Sequence, residues 1–353
     1  MEDAGLIQPY LDVHANPQGP GDARPTALQI IADEDVVMRW QDKTVLITGG
    51  SSGIGVETAR ALHHTGAKVF ITTRNTAKAE KVRGDILASS PSTRDVGIIE
   101  MELDSLASVR RGAETFLAQA SGLNVLVNNA GVMAAPHGKT ADGFETHLGT
   151  NHFSHFLLTE LLLPTLIASS TTSFPSRVVN VASMGHWHQE GGLSAAGVFE
   201  DLCFDKTPYQ PMVAYGRSKH ANILHANGIE RRYGSDARNP VHAFSLHPGG
   251  ITTELWRHLG QTATAPSSHK DKHWETWKSV EQGAATTVWC ATAKVWHGKP
   301  GRYCEDCGES APSPYKTRAE WPLGSPGYAP WAYDEIAEQK LWDISEKAVK
   351  SFA

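Results

Sequence analysis

The chain has 353 residues, among them 32 lysines and arginines and 38 aspartates and glutamates, for a formal net charge of −6. This mildly acidic balance, with no long basic stretch, excludes nucleic acid and an anionic membrane surface as expected partners and favours small molecules. Four cysteines are too few for a disulfide scaffold, and the first residues lack a signal-peptide pattern, so we expect a cytoplasmic protein. The longest apolar stretch, 156–168, contains Glu160 and Pro164 and predicts a buried helix, with no membrane segment.

The order of predicted elements indicates one α/β domain between two extensions. Residues 1–42 are rich in proline and glycine and predict an irregular extension with a short helix at "ALQIIADEDVV". Between residues 43 and 300, helix-length segments separate the short apolar runs "TVLIT", "KVFITT", "VGIIEM", "NVLVNNA", "RVVNVAS" and "VHAFSLH". This alternation predicts a Rossmann-like, doubly wound parallel sheet. Residues 301–353 predict a C-terminal extension outside the sheet, with a terminal helix.

A glycine turn, "TGGSSGIG", follows the first predicted strand and leads into a predicted helix. Glycines 49, 53 and 55 would let the backbone approach a pyrophosphate, which the helix N-terminus would then stabilise. The spacing is G-x-x-x-G-x-G, and a glycine run alone can also be a tight turn. Its place after the first strand of an alternating pattern favours a dinucleotide site.

The end of the second predicted strand, "ITTRNTAK", indicates which dinucleotide is bound. Thr73 and Arg74 stand where NAD sites carry an acid for the ribose 2′-hydroxyl. An arginine can hold a 2′-phosphate, and Lys78 would add charge, so we expect NADP(H). The alternative is that Arg74 is a solvated strand-end residue, which would leave the nucleotide undecided.

The stretch "AYGRSKHAN" places Tyr215 and Lys219 four residues apart, on one face of a helix that Pro211 would begin. An ammonium about 4 Å from the phenol would lower the tyrosine pKa toward neutrality and make the phenol a usable proton donor. The alternative is an ordinary amphipathic helix with a surface tyrosine.

In this order the motifs resemble those of the classical short-chain dehydrogenases/reductases, and "SSGIGVETARALHHTGA" with "TTRN" is most similar to the retinol-dehydrogenase and WW-domain-oxidoreductase branch. The resemblance covers about residues 43–300. It implies that the catalytic residues are Asn151, Ser183, Tyr215 and Lys219. It implies that the cofactor is held by Gly49, Ser51, Ser52, Gly53, Ile54, Gly55, Arg74, Asp104, Asn129, Ala130, Gly131, Tyr215, Lys219, Pro248, Gly249, Ile251 and Thr253.

Two features depart from the family pattern. Ser52 stands where several NADP-using members place a basic residue, so the expected NADP specificity depends mainly on Arg74. The chain also lacks the N-terminal membrane segment of many retinol dehydrogenases, which weakens any transfer of their retinoid substrate or location.

The resemblance implies that Tyr215 exchanges a proton with the substrate oxygen while Ser183 hydrogen-bonds that oxygen. Lys219 would lower the tyrosine pKa and hold the nicotinamide ribose, and Asn151 would support a water that relays protons to Lys219. We therefore expect an NADP(H)-dependent carbonyl reductase or alcohol dehydrogenase, with a fairly apolar ketone, aldehyde or secondary alcohol as substrate. The long variable loops favour a role in secondary metabolism. A homodimer is a possible assembly at this stage.

Two other functions remain open at this stage. The fold could serve as an NADP(H)-binding redox sensor, an interaction module or a non-redox enzyme, because fold alone does not determine function. The same cofactor geometry would also allow reduction of an activated C=C bond.

Substrate selection is expected from two variable segments, 184–212 and 256–277, which carry Trp187, Trp256, Trp274 and Trp277. These tryptophans could line an apolar pocket, although we expect no more than about one to touch the substrate.

The motif "CEDC", with Cys304 and Cys307, could suggest zinc or redox chemistry. No second cysteine pair accompanies it, and structural zinc needs four ligands, so we expect no metal and two thiols in the C-terminal extension.

Overall fold

The computed structural model describes residues 5–259 and 273–353 and has eight short strands in these ranges, the longer of them rich in β-branched residues. The strands are β1 Thr44–Ile47, β2 Lys68–Thr73, β3 Gly97–Glu100, β4 Val125–Asn128, β5 Ser176–Val181, β6 Val241–His247, β7 Tyr303–Glu305 and β8 Gly308–Glu309. They form one sheet in the order β3-β2-β1-β4-β5-β6-β7-β8. Strands β1 to β7 are parallel and β8 is antiparallel to β7, so the predicted Rossmann-like α/β fold is confirmed.

Helices connect the parallel strands and cover both faces of the sheet. They are α1 Leu11–His14, α2 Ala27–Asp33, α3 Ile54–His64, α4 Thr76–Ser89, α5 Leu106–Gln119, α6 Thr146–Leu148, α7 Ser154–Ser169, α8 Pro211–Ile229, α9 Val280–Gly283, α10 Ala285–Thr292 and α11 Glu335–Val349. A π-helical segment, Gly149–Phe153, joins α6 to α7. Among the described residues, none of these helices combines the length and apolar character needed to cross a bilayer.

Alternate residues of each strand enter opposite layers of the core because successive side chains of a strand point to opposite faces. Val45 and Ile47 pack into a cluster with residues of α2, α3 and α10. Leu46, between them, packs into a second cluster with residues of α5, α7, α8 and α11. The sheet is therefore buried on both faces, as its nearly continuous apolar strands predict.

The C-terminal extension contributes to the sheet, which corrects one expectation. Ser245, Leu246 and His247 of β6 pair with β7, and β8 then turns back along β7. The prediction that this segment lies outside the sheet is wrong, because a three-residue strand is too short to show a period in the sequence. The division of the chain at residues 42 and 300 into extensions and catalytic domain stays a prediction.

The N-terminal and C-terminal extensions meet at this edge. The amide of Glu309 donates to the carbonyl oxygen of Ile7 (2.7 Å), and the side-chain amide of Gln8 donates to the carbonyl oxygen of Glu309 (3.0 Å). Farther along, α2 buries Ile30 and Ile31 in the core beside α10. The N-terminal extension is thus part of the packed structure.

Candidate active site

A cavity of about 1860 Å³ opens at the carboxyl ends of the strands, where α/β sheets of this topology bind ligands. Its walls come from the loops after β1, β2, β4, β5 and β6 and from both extensions. Most of the residues singled out from the sequence line it: Gly49, Ser51, Ser52, Gly53, Ile54, Arg74, Asp104, Asn129, Ala130, Gly131, Ser183, Tyr215, Lys219, Pro248, Gly249, Ile251 and Thr253. Gly55 and Asn151 are buried.

The glycine turn packs directly on the segment that follows β4. A Cβ at Gly49 would lie 2.8 Å from the Cβ of Ala130, and a Cβ at Gly55 would lie 2.4 Å from the carbonyl oxygen of Gly49. Gly49 and Gly53 also have φ values of 67° and 54°, which disfavour other residues. Because these glycines have no side chains, the turn is not filled and its backbone stays open toward the cavity at the start of α3.

At the end of β2, Arg74 is exposed at the cavity wall. Its neighbour Lys78, on α4, forms an ion pair with Glu254 across the cleft, with Nζ 2.6 Å from Oε1. Arg74 is therefore available to a ligand at this end of the cavity, while Lys78 already has a carboxylate partner.

Helix α8 presents Tyr215 and Lys219 to the cavity, and both side chains are buried. The Nζ of Lys219 lies 5.6 Å from the Tyr215 ring centroid and donates to the carbonyl oxygen of Val181 at the end of β5 (2.8 Å). Burial lowers the pKa of Lys219 to about 7. The helical spacing thus brings the two groups together as expected.

The expected pKa of the phenol is wrong for this state of the protein. Burial raises the pKa of Tyr215 to about 12, against a smaller lowering by a hydrogen bond with Ser183. Burial also lowers the pKa of Lys219, whose Nζ donates to the carbonyl oxygen of Val181. Desolvation of the phenol therefore determines the direction of its pKa shift.

Ser183 follows β5 and lies against the tyrosine. Its hydroxyl accepts a hydrogen bond from the amide of Gly185 (2.9 Å), which begins a 3-10 turn. A Cβ at Gly185 would lie 2.6 Å from Cε1 of Tyr215. The absence of a side chain at Gly185 is what allows the tyrosine ring to lie next to the serine.

Asn151 lies within the π-helical segment and is fully buried. Its Oδ1 accepts from the amide of Val132 (2.8 Å), and its Nδ2 donates to the carbonyl oxygen of Val132 (3.0 Å) and to the hydroxyl of Ser218 (2.9 Å). A Cβ at Gly131 would lie 3.0 Å from Oδ1 of Asn151 and 3.6 Å from Nζ of Lys219. The asparagine and the lysine therefore both lie beside Gly131, in the segment that follows β4.

Comparison with known proteins identifies the family. The short chain dehydrogenase family matches residues 43–195. Over 338 residues, 96% of this chain and 94% of the relative, the sequence is 44% identical to the short-chain dehydrogenase/reductase prx1 of Penicillium roqueforti. The chain belongs to the short-chain dehydrogenase/reductase family.

Two further similarities indicate the branch and the fold. The chain is 39% identical over 307 residues to retinol dehydrogenase 12 of Homo sapiens, covering 86% of this chain and 85% of that protein. A crystal structure of an uncharacterised protein from Mycobacterium paratuberculosis aligns with a TM-score of 0.62 and 32% identity, covering 87% of this chain and 93% of that one. The chain is an oxidoreductase of the retinol-dehydrogenase-like branch of the family.

The loop after β6 has support in this dehydrogenase that the sequence did not indicate. Lys278 is buried, its amide donates to the carbonyl oxygen of Gly250 (2.9 Å), and its Nζ lies 2.6 Å from Oδ1 of Asp306. Burial acts to raise the pKa of Asp306, but Lys278 and His14 outweigh it and lower the pKa to about 2. Lys278 belongs to no recognisable sequence motif, so its ion pair with Asp306 becomes visible only in the folded structure.

The tryptophans of the variable segments have different surroundings. Trp256 and Trp277 line the cavity and pack on each other with ring centroids 5.0 Å apart. Trp187 is fully buried and stacks on Trp321, and the indole of Trp274 lies against Gly19. Residues 260–272 of the second variable segment lie outside the described residues. Contact of one of these tryptophans with the substrate stays a prediction.

Cys304 and Cys307 are free and buried in the core, Cys304 within β7. Cys307 has a φ of 55°, and its amide donates to the hydroxyl of Thr286 (3.1 Å). Within the described ranges, no group of three or more histidine, cysteine, aspartate or glutamate side chains is arranged to hold a metal ion.

Proposed function

We propose that this short-chain dehydrogenase/reductase transfers a hydride between NADP(H) and a fairly apolar ketone, aldehyde or secondary alcohol, with Tyr215 as the general acid and base. One observation carries the proposal: Ser183, Tyr215 and Lys219 line the same cavity as the glycine turn and Arg74. A proton-transfer group and a nucleotide cradle thus face one enclosed space.

The residues of the cavity fit a dinucleotide. The glycine turn leaves its backbone open at the start of α3, as a pyrophosphate requires. Asn129 has a buried Oδ1 without a hydrogen-bond partner in the described structure. Asp104 and Gly131 would flank the adenosine. The nicotinamide side would be flanked by Pro248, Gly249, Ile251 and Thr253. When bound, the nicotinamide supplies or accepts the hydride.

The protein's own residues move and hold the proton. With a pKa of about 12, Tyr215 is protonated at neutral pH and can donate to the oxygen of a carbonyl substrate. Ser183, hydrogen-bonded to the phenol, would donate to the same oxygen and lower the cost of charge there. Burial lowers the pKa of Lys219 to about 7, so Lys219 would exchange a proton with Tyr215 near neutral pH, through a water that Asn151 would support.

We propose NADP(H) over NAD(H) because Arg74 is exposed at the end of β2 and the residue before it is an uncharged threonine. A guanidinium forms two parallel hydrogen bonds to a phosphate, which a 2′-hydroxyl cannot provide. A cytoplasmic location, a homodimer and a role in secondary metabolism stay predictions.

The test is a panel of ketones, aldehydes and secondary alcohols, followed by nicotinamide absorbance. Tyr215→Phe should lower turnover by about 10²–10⁴-fold and leave NADPH affinity nearly unchanged, because the ring remains and the transferable proton is gone. Lys219→Ala should lower turnover and also weaken NADPH binding. Tyr233→Phe is the matched control, since Tyr233 packs in the core cluster beside α11.

Two results would contradict the proposal. If no member of the panel changes the absorbance although NADPH binds tightly, the protein is a cofactor-binding sensor or interaction module. If turnover survives in Tyr215→Phe, another group transfers the proton.

A further inference from the structure

The C-terminal extension places a cation without a carboxylate partner in the wall of the active-site cavity. Arg318 lines this cavity and is partly buried. Three other cations of the wall have carboxylate partners: Lys78 with Glu254, Lys278 with Asp306, and Arg24 with Asp22. For Arg318, the described part of the chain provides no ion pair, and its Nε is buried without a hydrogen-bond partner.

Aromatic packing holds this guanidinium in place. Its Cζ lies 5.1 Å from the ring centroid of Trp321, and its Nη1 donates to the carbonyl oxygen of Trp321 (3.4 Å). Trp321 stacks on the fully buried Trp187, with ring centroids 5.3 Å apart and planes 7° apart. Little freedom is left to be lost when a ligand binds, so the position is preorganised.

Arg318 is linked by packing to the turn that follows Ser183, because Trp321 beneath the guanidinium stacks on Trp187 of that turn. A Cβ at Gly216, which follows Tyr215, would lie 3.1 Å from Cβ of His188. Burial and the charge of Arg318 together lower the pKa of His188 to about 4, so the imidazole is neutral at pH 7. His188 also lines the cavity. The stacking of Trp321 on Trp187 thus places Arg318 on the Ser183 side of the cavity, whereas Arg74 lies at the end of β2.

We propose that Arg318 binds a carboxylate of the substrate, so that the substrate is an oxo acid or hydroxy acid with an apolar middle. This inference rests on the proposed function and refines its substrate class. A planar guanidinium donates two parallel hydrogen bonds to a carboxylate, and partial burial strengthens them relative to water. Met184, Trp277 and Leu323 line the same cavity and provide apolar surface for the rest of the molecule.

The test measures binding without turnover, so that it is independent of the proposed reaction. Decanoate and decanamide are titrated by calorimetry into protein saturated with NADPH. Decanamide has the same length and shape but no charge. We expect decanoate to bind at least about tenfold more tightly than decanamide, as charge-assisted hydrogen bonds imply. Arg318→Gln should abolish this preference and Arg318→Lys should retain part of it.

Lys316→Gln is the matched control. Lys316 is exposed and lies two residues from Arg318, so this substitution removes the same charge outside the cavity. Its preference for decanoate should equal that of the wild type. Equal binding of the two probes in the wild type, failure of decanoate to bind, or an undiminished preference in Arg318→Gln would overturn the inference. Should Arg318→Gln not fold, an undiminished preference in Arg318→Lys would overturn it, because lysine lacks the planar fork.

The oxidoreductase proposal can fail separately. Consider a protein that prefers decanoate, and loses that preference in Arg318→Gln, yet oxidises NADPH with no carbonyl of the panel. That result would support the carboxylate site and contradict the proposed reaction.

Discussion

Gly185→Ala should displace the catalytic tyrosine while leaving the nucleotide end of the cavity untouched. The added Cβ would lie 2.6 Å from Cε1 and 3.0 Å from Cδ1 of Tyr215, whereas ordinary contacts begin near 3.4 Å. The ring or the 3-10 turn must therefore move by roughly 1 Å, and a misplacement of about 1 Å can cost about 10²-fold in rate. Overpacking of this kind also destabilises a protein by about 1–3 kcal/mol.

The assay is steady-state oxidation of NADPH with the best carbonyl of the panel, with NADPH affinity measured by fluorescence. We expect kcat about 100-fold below the wild type and an unchanged NADPH affinity. Gly84→Ala is the matched control, since Gly84 is exposed on α4 and an added Cβ meets nothing within 4 Å. A kcat within about twofold of the wild type would refute the argument that the ring position, set by contact with Gly185, controls the rate.

Three further predictions concern the cofactor, a buried acid and the thiols. Arg74→Ala should bring the affinities for NADPH and NADH close together in titrations. An unchanged ratio of the two affinities would contradict the binding of the 2′-phosphate by Arg74. Burial raises the pKa of Glu305 from 4.5 to about 7, so stability should fall as the pH rises from 4.5 to 7. The free energy of unfolding, measured with urea, should fall less between pH 5 and pH 8 in Glu305→Gln than in the wild type, by up to about 3 kcal/mol. Equal falls in the two proteins would contradict this prediction. Cys304→Ser and Cys307→Ser should leave activity near wild type and metal at background by elemental analysis, at some cost in stability because both thiols are buried. Stoichiometric zinc that either variant loses would show a metal site.

Local signals in the sequence were enough to predict the central sheet and much of the cavity wall. Apolar runs of four to seven residues become β1 to β6, because each is buried on both faces and carries its whole signal within itself. The place of the glycine turn after the first strand and the helical spacing of Tyr215 and Lys219 were also readable, since a turn and a helix face are local properties.

The remainder depends on contacts between distant parts of the chain. Strand β7 exists because β6 offers it a pairing edge, and its three residues carry no period of their own. The pKa of Tyr215 reflects how completely the fold removes water from the phenol, which the spacing to Lys219 does not report. Lys278 and Arg318 belong to no motif and become relevant only where the extensions close over the cavity.

The pairing of Glu309 with Ile7 sets an order for folding during synthesis on the ribosome. The partners are separated by 302 positions, so the first residues to emerge cannot reach their final contacts until almost the whole chain has left the exit tunnel. Strands β1 to β6 can pair earlier, while the edge that β7 and β8 later cover stays exposed to other nascent chains. Slow translation before residue 303 would prolong the exposure of this β6 edge.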